Sequence, residues 1–299
     1  MTQREPYCET EFRGIIYGSF VVPASDGTPI AVKRTGNLSR PAVIVANGVG
    51  VPWFGMHEIM AQLARHFCVY TWDYRGIGES EPVIRQDFSI ERHAKDGLSV
   101  ANWFGLEQYS LVGWSMGVPV LLEMYRLDPG AATKLAFLYG APGLPYVASM
   151  GRIGDRIFRS VLNGALKHRL VPVLLKKTMY RYFEPFVKFL SVSGFTSSKV
   201  DPEIIRKNVR AVLDENTLYY GTTLLELGRH NGWDVLGSIS VPALVVAGGK
   251  DWVTPEATMR KMAGAISGAT YLVHPNASHF GVIEEREALW EPLLRLLMK

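Results

Sequence analysis

Short runs of apolar and β-branched residues alternate along the chain with longer stretches of helical periodicity. The apolar runs lie at 14–22, 29–34, 42–46, 67–72, 109–112, 134–138, 243–247 and 270–273. Helical patterns separate most of these runs, which is typical of a mostly parallel sheet with helices on both faces. The pattern therefore predicts an α/β fold built on an eight-stranded sheet.

Two local signals refine this pattern. Ser25-Asp26-Gly27-Thr28 separates the first two runs, and its Asp-Gly pair suits the tight reversal of an antiparallel hairpin. Ser89 precedes a helical stretch that continues to 104, and its hydroxyl can accept a hydrogen bond from the first helical turn. We expect an N-terminal hairpin and a helix that begins directly after Ser89.

The alternation stops after Gly140-Ala141-Pro142-Gly143 and resumes at 243. The intervening residues show helical patterns rich in Leu, Tyr, Phe, Lys and Arg. We interpret this segment as a helical cap inserted into a single catalytic domain. Residues 1–140 and 236–299 then form the core, and residues 141–235 form the cap.

The distribution of charge indicates what this cap could contact. Residues 144–234 contain 14 Lys and Arg against 8 Asp and Glu, whereas the rest of the chain has 18 against 20. The net charge of +4 is too small to indicate a nucleic-acid partner. Two interpretations are open: the cap is an ordinary solvated amphipathic surface, or it is a basic lid that approaches lipid surfaces or anionic substrates.

Composition narrows the class of protein. Hydrophobic residues make up 47 % of the chain and charged residues 20 %, as in globular proteins. The polar segment 1–11 lacks the apolar stretch of a secretory signal, and no apolar run has the length of a spanning helix, so we expect a cytoplasmic protein. Cys8 and Cys68 are too few for a disulfide framework.

The candidate nucleophile lies in Gly113-Trp114-Ser115-Met116-Gly117, between the run at 109–112 and the helical stretch after it. A GxSxG sequence between a strand and a helix is typical of a nucleophile elbow. The abrupt turn strains the backbone of the middle residue, and the flanking glycines remove Cβ atoms that would clash. Ser115 is therefore the predicted nucleophile.

A serine hydroxyl needs a base, and the base needs a group that orients it. Asp251 follows the run at 243–247 and His279 follows the run at 270–273, which is the order of acid and base expected after such a serine. Loops at the carboxyl ends of parallel strands meet at one edge of a sheet. We predict that His279 is the base and that Asp251 orients it; His274 is the nearest alternative base.

The oxyanion of an acyl-transfer reaction needs N–H donors. The amide of Met116, directly after the nucleophile, is one predicted donor. The second comes from the glycine-rich turn Asn47-Gly48-Val49-Gly50, and we assign it to Val49. No cluster of metal ligands and no phosphate-binding glycine loop is present, so we expect neither metal nor cofactor.

On these residues, and on Asp73-Tyr74-Arg75-Gly76-Ile77-Gly78-Glu79-Ser80, the chain resembles the α/β-hydrolase superfamily. More narrowly it is similar to the cap-bearing esterases, lactonases, perhydrolases and C–C bond hydrolases. The resemblance implies that Asp73 and Arg75 are structural, and the serine differs from the aspartate of related epoxide hydrolases and dehalogenases. One departure is Asn47-Gly48, where many relatives have His-Gly.

The expected substrate is a small-molecule ester or lactone with an apolar acyl or alkyl group. We predict that Val49, Met116 and seven aromatic residues line its pocket: Trp53, Phe54, Trp114, Tyr146, Tyr180, Phe183 and Phe186. A second interpretation is open for Trp53, Phe54 and the aromatic residues of the cap, which would equally suit packing between the core and the cap. Acyl transfer and C–C bond hydrolysis by the same triad remain alternatives, as does a non-catalytic interaction protein on a hydrolase scaffold. Whether the protein is a monomer or a dimer is open.

Overall fold

The computed structural model of the protein describes residues 5–168, 170–197 and 199–299. One sheet of nine strands runs through these ranges in the order β1-β2-β3-β5-β4-β6-β7-β8-β9. The strands are β1 (Cys8–Phe12), β2 (Ile15–Pro23), β3 (Pro29–Thr35), β4 (Ala42–Ala46), β5 (Cys68–Trp72), β6 (Tyr109–Trp114), β7 (Ala132–Leu138), β8 (Ala243–Gly248) and β9 (Thr270–His274). β1, β2 and β3 pair antiparallel, as does β3 with β5, and the remaining pairs are parallel. The predicted α/β class and N-terminal hairpin are confirmed.

The predicted count of eight strands was one too low. The additional strand is β1, which pairs with β2 at the edge of the sheet. Its sequence, CETEF, leaves most of its residues exposed on both sides of the ladder. Because an edge strand of this kind is held by backbone hydrogen bonds and buries little apolar surface, it leaves no hydrophobic pattern in the sequence.

Helices cover both faces of the sheet. They are α1 (His57–Leu63), α2 (Ile90–Trp103), α3 (Gly117–Leu127), α9 (Glu256–Gly264), α10 (Gly281–Glu284) and α11 (Arg286–Met298). Side chains of α2, α3 and α9 belong to one core cluster, and side chains of α1 and α11 belong to the other. Successive residues of β4 alternate between the two clusters, which explains why this strand is apolar throughout. As predicted, α2 begins after Ser89, whose side chain accepts a hydrogen bond from the amide of Arg92.

In the described residues, five α-helices lie between β7 and β8: α4 (Pro145–Lys167), α5 (Leu170–Arg181), α6 (Phe183–Val192), α7 (Pro202–Asp214) and α8 (Thr217–Arg229). The chain enters and leaves this helical segment side by side, since Gly143 and Asn231 form an isolated antiparallel bridge. The segment packs on the loops that follow β4 and β5: the amide of Gly78 donates to Glu215 at 2.9 Å. No helix in the described ranges combines the length and apolarity needed to cross a membrane.

Candidate active site

Ser115 lies between the end of β6 and the start of α3, with a φ angle of 55°. Such a φ is unusual for a residue with a side chain and marks a strained turn. The amide of Ser115 donates to the carbonyl of Leu138 at 3.1 Å, which anchors the turn to β7. A Cβ at Gly117 would lie 2.2 Å from the carbonyl oxygen of Ala46, so only glycine permits this approach of α3 to β4. The predicted elbow is therefore a strained turn held from both neighbouring strands.

A continuous chain of hydrogen bonds joins Ser115, His279 and Asp251. The Nε2 atom of His279 is 2.8 Å from the hydroxyl oxygen of Ser115, and its Nδ1 atom is 2.9 Å from Oδ2 of Asp251. Oδ1 of Asp251 accepts from the amides of Val253 and Thr254, both at 2.9 Å, and Oδ2 also accepts from the Thr254 hydroxyl at 2.7 Å. With every oxygen of the buried carboxylate occupied, its orientation toward His279 is determined by the surrounding loop.

Two further contacts hold the loop that carries His279. The indole N–H of Trp114 donates to the carbonyl of His279 at 3.1 Å. The carboxylate of Glu284 accepts from the amide of Ser278 at 2.7 Å, from the Ser278 hydroxyl at 2.5 Å and from the amide of Ser197 at 2.7 Å. Glu284 thus ties the residue before His279 to the linker between α6 and α7. Neither contact was anticipated from the sequence.

The turn after β4 lies against the nucleophile. A Cβ added at Gly48 would meet the ring of Trp114 at 3.1 Å and the Cβ of Ser115 at 3.5 Å. Within the described part of the chain, the amides of Val49 and Met116 donate to no protein group. These two N–H groups, which the sequence predicts as oxyanion donors, are therefore available to an oxygen bound beside Ser115.

The side chain and the backbone of Asn47 both hold this turn. Its side-chain amide donates to the carbonyl of Val51 at 3.3 Å, and its backbone carbonyl accepts from the Tyr74 hydroxyl at 2.8 Å. The side-chain oxygen of Asn47 is buried and has no partner among the described residues. The side-chain amide of Asn47 therefore links the first residue of the turn to Val51 at its end.

A cavity of about 250 Å³ opens over Ser115 and His279, between the core and the helical segment. Its wall is mostly apolar: Val49, Val51, Trp114, Met179, Phe186, Leu190, Phe195, Val209, Val212, Leu213 and Phe280. Asn208 and Tyr220 add the polar groups, and none of the described lining residues is charged. Burial raises the pKa of Tyr220 to about 12, so its hydroxyl stays protonated at physiological pH.

The predicted pocket residues divide into two groups. Val49, Trp114 and Phe186 line the cavity, whereas Trp53, Phe54, Tyr146, Tyr180 and Phe183 do not. The side chain of Met116 is in the core, so this residue can offer only its amide. The predicted lining was thus too broad, because aromatic content cannot distinguish a pocket wall from packing between elements.

Each of the five aromatic residues that do not line the cavity contacts another part of the fold. Trp53 packs against Phe12 and Tyr17, and Phe54 packs against Phe12. Tyr146 donates to the carbonyl of Leu224 at 2.9 Å, the exposed Tyr180 hydrogen-bonds to Asp214, and Arg210 lies 5.2 Å above the Phe183 ring. These contacts join elements of the fold to one another.

Three other residues considered from the sequence, His274, Arg75 and Asp73, do not line the cavity. The Nδ1 atom of His274 is 2.6 Å from the Tyr139 hydroxyl, so the alternative base is engaged elsewhere. The buried Arg75 forms ion pairs with Asp26 at 2.9 Å and with Asp96 at 2.8 Å. Asp73 accepts from the amides of Trp53 and Glu79 at 2.7 and 3.1 Å, and thereby shapes the loops after β4 and β5.

Comparison with known proteins agrees with this fold. A family model described as the alpha/beta hydrolase family matches residues 43–291. The chain is 23 % identical to a 3-oxoadipate enol-lactonase of Acinetobacter baylyi, over 90 % of this chain and 93 % of that protein. It is 26 % identical to the 2-hydroxy-6-oxo-6-(2'-aminophenyl)hexa-2,4-dienoic acid hydrolase of Metapseudomonas resinovorans, over 87 % of this chain and 84 % of that protein. The crystal structure of a hydrolase from Pseudomonas aeruginosa is similar with a TM-score of 0.77 at 19 % identity, covering 93 % of this chain and 98 % of that one.

Proposed function

The chain belongs to the alpha/beta hydrolase family, and within that family we propose that it is a serine hydrolase of carboxylic esters or lactones. The observation that carries the proposal is the hydrogen-bonded chain from Asp251 through His279 to Ser115, with distances of 2.9 and 2.8 Å. A nucleophile, its base and the group that orients the base form the machinery of acyl transfer.

In the proposed mechanism, Nε2 of His279 removes the proton of Ser115 as the hydroxyl attacks the substrate carbonyl. Asp251 accepts a hydrogen bond from the Nδ1–H of His279 and stabilises the imidazolium that forms. The amides of Val49 and Met116 donate to the oxyanion. His279 then protonates the leaving alcohol, an acyl group remains on Ser115, and water activated by His279 releases the acid.

We propose that α4 to α8 act as a cap that completes the substrate site, since Met179, Phe186, Asn208 and Tyr220 come from these helices. The apolar wall supports an apolar acyl or alkyl group. The absence of charge among the described lining residues supports a neutral substrate, because a buried carboxylate without a cation is strongly disfavoured.

The uncharged cavity wall separates two chemistries. One relative is named as a hydrolase of a hexadienoic acid, and an ionised acid would find no cation among the described residues that line this cavity. We therefore place ester or lactone hydrolysis ahead of C–C bond hydrolysis of acids. The same acyl-enzyme would permit acyl transfer to an alcohol, which product analysis with added methanol measures directly.

Labelling with a fluorophosphonate probe tests the nucleophile. We expect one adduct, on Ser115, together with loss of activity on p-nitrophenyl esters. Ser115→Ala should abolish both, while Ser99→Ala, at a half-buried serine of α2 whose hydroxyl donates to the carbonyl of Lys95, should change neither. Retained esterase activity in folded Ser115→Ala protein would overturn the proposal.

A matched pair of esters tests the substrate class. p-Nitrophenyl butyrate and p-nitrophenyl hemisuccinate differ mainly in a terminal methyl against a carboxylate. We expect kcat/KM to favour the butyrate by at least about 10²-fold, because the carboxylate would be buried without a partner. Equal values for the two esters would contradict a neutral acyl site.

A further inference from the structure

The outward side of α4 and α5 exposes an unusual amount of apolar surface. We call it the outer face and define its apolar part by Ile153, Ile157 and Val161 of α4 and by Leu170, Val173 and Leu174 of α5. These six side chains are between 59 % and 78 % exposed. Ile153, Ile157 and Val161 recur every four residues, and Val173 and Leu174 follow Leu170 by three and four residues, so the side chains form a stripe along each helix.

α5 differs from an ordinary amphipathic surface helix. None of its described residues is buried, although its sequence begins LVPVLL. Single exposed apolar residues occur elsewhere, such as Ile16 and Ile84, and need no explanation. A group of six on two helices that pack against each other marks a surface that contacts something else.

The exposed charges that α4 and α5 themselves carry in their described residues are all basic, whereas Glu81, Asp214 and Glu215 lie beside Val173 at one edge of the stripe. Arg152, Arg156, Lys167, Lys177 and Arg181 are exposed, and none forms an ion pair with a described residue. Asp155 is the one acidic residue in the described parts of α4 and α5; it is buried and pairs with Arg159 at 2.5 Å. An exposed apolar stripe with unpaired cations beside it is complementary to an anionic surface with an apolar interior.

We propose that the outer face docks on an anionic lipid surface, with the leucines of α5 entering the acyl region and the basic side chains contacting headgroups. A second copy of the chain fits the same face less well, because two such faces would bring their cations together. The proposal does not rest on the proposed catalytic function.

The position of α5 brings the proposed lipid surface close to the cavity beside Ser115. Met179 lines the cavity beside Ser115. Leu170 precedes Met179 by nine residues, about two and a half helical turns, and so projects from the opposite side of α5. Helix α5 therefore lies between the cavity and the proposed lipid surface. A neutral ester dissolved in the lipid would need to pass this one helix to reach the cavity beside Ser115.

Sedimentation with vesicles tests the proposal, with Ser115→Ala as the background in every sample so that no ester is consumed. We expect binding to vesicles of phosphatidylcholine with phosphatidylglycerol, weaker binding to phosphatidylcholine alone, and a decrease with salt. Lys177→Gln/Arg181→Gln should weaken binding to the anionic vesicles by about fivefold for each charge removed. Leu170→Ser/Leu174→Ser should weaken it more than tenfold.

The matched control is Ile16→Ser/Ile84→Ser, which removes two apolar side chains of similar exposure away from α4 and α5 and should leave binding unchanged. Circular dichroism and light scattering confirm folding and mass for each variant. Equal loss in the control and the α5 variant, or no binding by the folded parent, would overturn the proposal. So would a dimer in solution that Leu170→Ser/Leu174→Ser converts to a monomer, since the face would then be an interface between copies.

Discussion

Replacing Asp251 with asparagine tests how the loop around Asp251 controls the tautomer of His279. Oδ1 of Asp251 accepts from two backbone amides, those of Val253 and Thr254, at 2.9 Å each. The NH2 group of an asparagine cannot occupy that position, because it would face two donors. It must therefore take the place of Oδ2, which lies 2.9 Å from Nδ1 of His279.

The consequence is a reversal of the hydrogen bond to His279. With an NH2 group at that place, Nδ1 must accept, so the proton of the neutral imidazole moves to Nε2. Nε2 then can no longer take the proton of Ser115, 2.8 Å away. A change of tautomer with the geometry kept costs about 10⁴ in kcat in a serine triad, which corresponds to roughly 5.5 kcal/mol of activation free energy.

The assay is steady-state hydrolysis of p-nitrophenyl butyrate, with folding checked by thermal denaturation. We expect kcat of Asp251→Asn to fall by about 10⁴ while KM changes little. Thr254→Val is the matched control: it removes the hydroxyl that reaches Oδ2 at 2.7 Å but leaves the tautomer unchanged, so it should cost about tenfold or less. A loss below tenfold in Asp251→Asn, or further loss when Asp251→Asn is added to Ser115→Ala, would refute this reasoning.

Three further changes test the surroundings of the site. Burial raises the pKa of Glu215 to about 7 from its ordinary 4.5, so the folded state binds more protons than the unfolded chain in this window and stability falls as pH rises through it. Glu215→Gln should remove that slope in urea titrations between pH 5 and 8, and an unchanged slope would contradict it. Glu284→Gln places an NH2 group against donors from Ser278 or Ser197; we expect a loss of about 1.5–3 kcal/mol in denaturant stability and a lower kcat. Gly117→Ala, with 2.2 Å to the Ala46 carbonyl, should lower Tm by several degrees, whereas Gly130→Ala, which meets nothing within 4 Å, should not.

The sequence predicted best what depends on the local backbone. Strands buried on both faces, such as β4, have an apolar pattern that reveals them, and the elbow at Ser115 follows from glycine spacing between a strand and a helix. The order of Asp251 and His279 after Ser115 needs only the rule that loops at the carboxyl ends of parallel strands meet. The structure brings all three side chains into hydrogen-bonding distance.

What the sequence could not predict depends on contacts between distant segments. Asn208 and Tyr220 line the cavity, yet nothing in their local sequence distinguishes them from other polar residues of a helix. Trp53 and Tyr146 are aromatic, as residues of a pocket wall often are, but they pack between elements of the fold. Assigning such residues requires the docking of α4 to α8 on the core, which no short sequence pattern encodes.

The packing of α4 to α8 on the core also links the residues that would select the substrate to the turn that would bind the oxyanion. Tyr220 lines the cavity and packs directly on Gly50, where a Cβ would lie 2.4 Å from its ring. Gly50 follows Val49, whose amide is a proposed oxyanion donor. A substitution in α8 that alters the fit of a substrate would therefore also displace the turn that binds the oxyanion. We infer that changes at Tyr220 alter kcat together with KM, whereas changes at Phe186, which reaches the cavity from α6, alter KM alone.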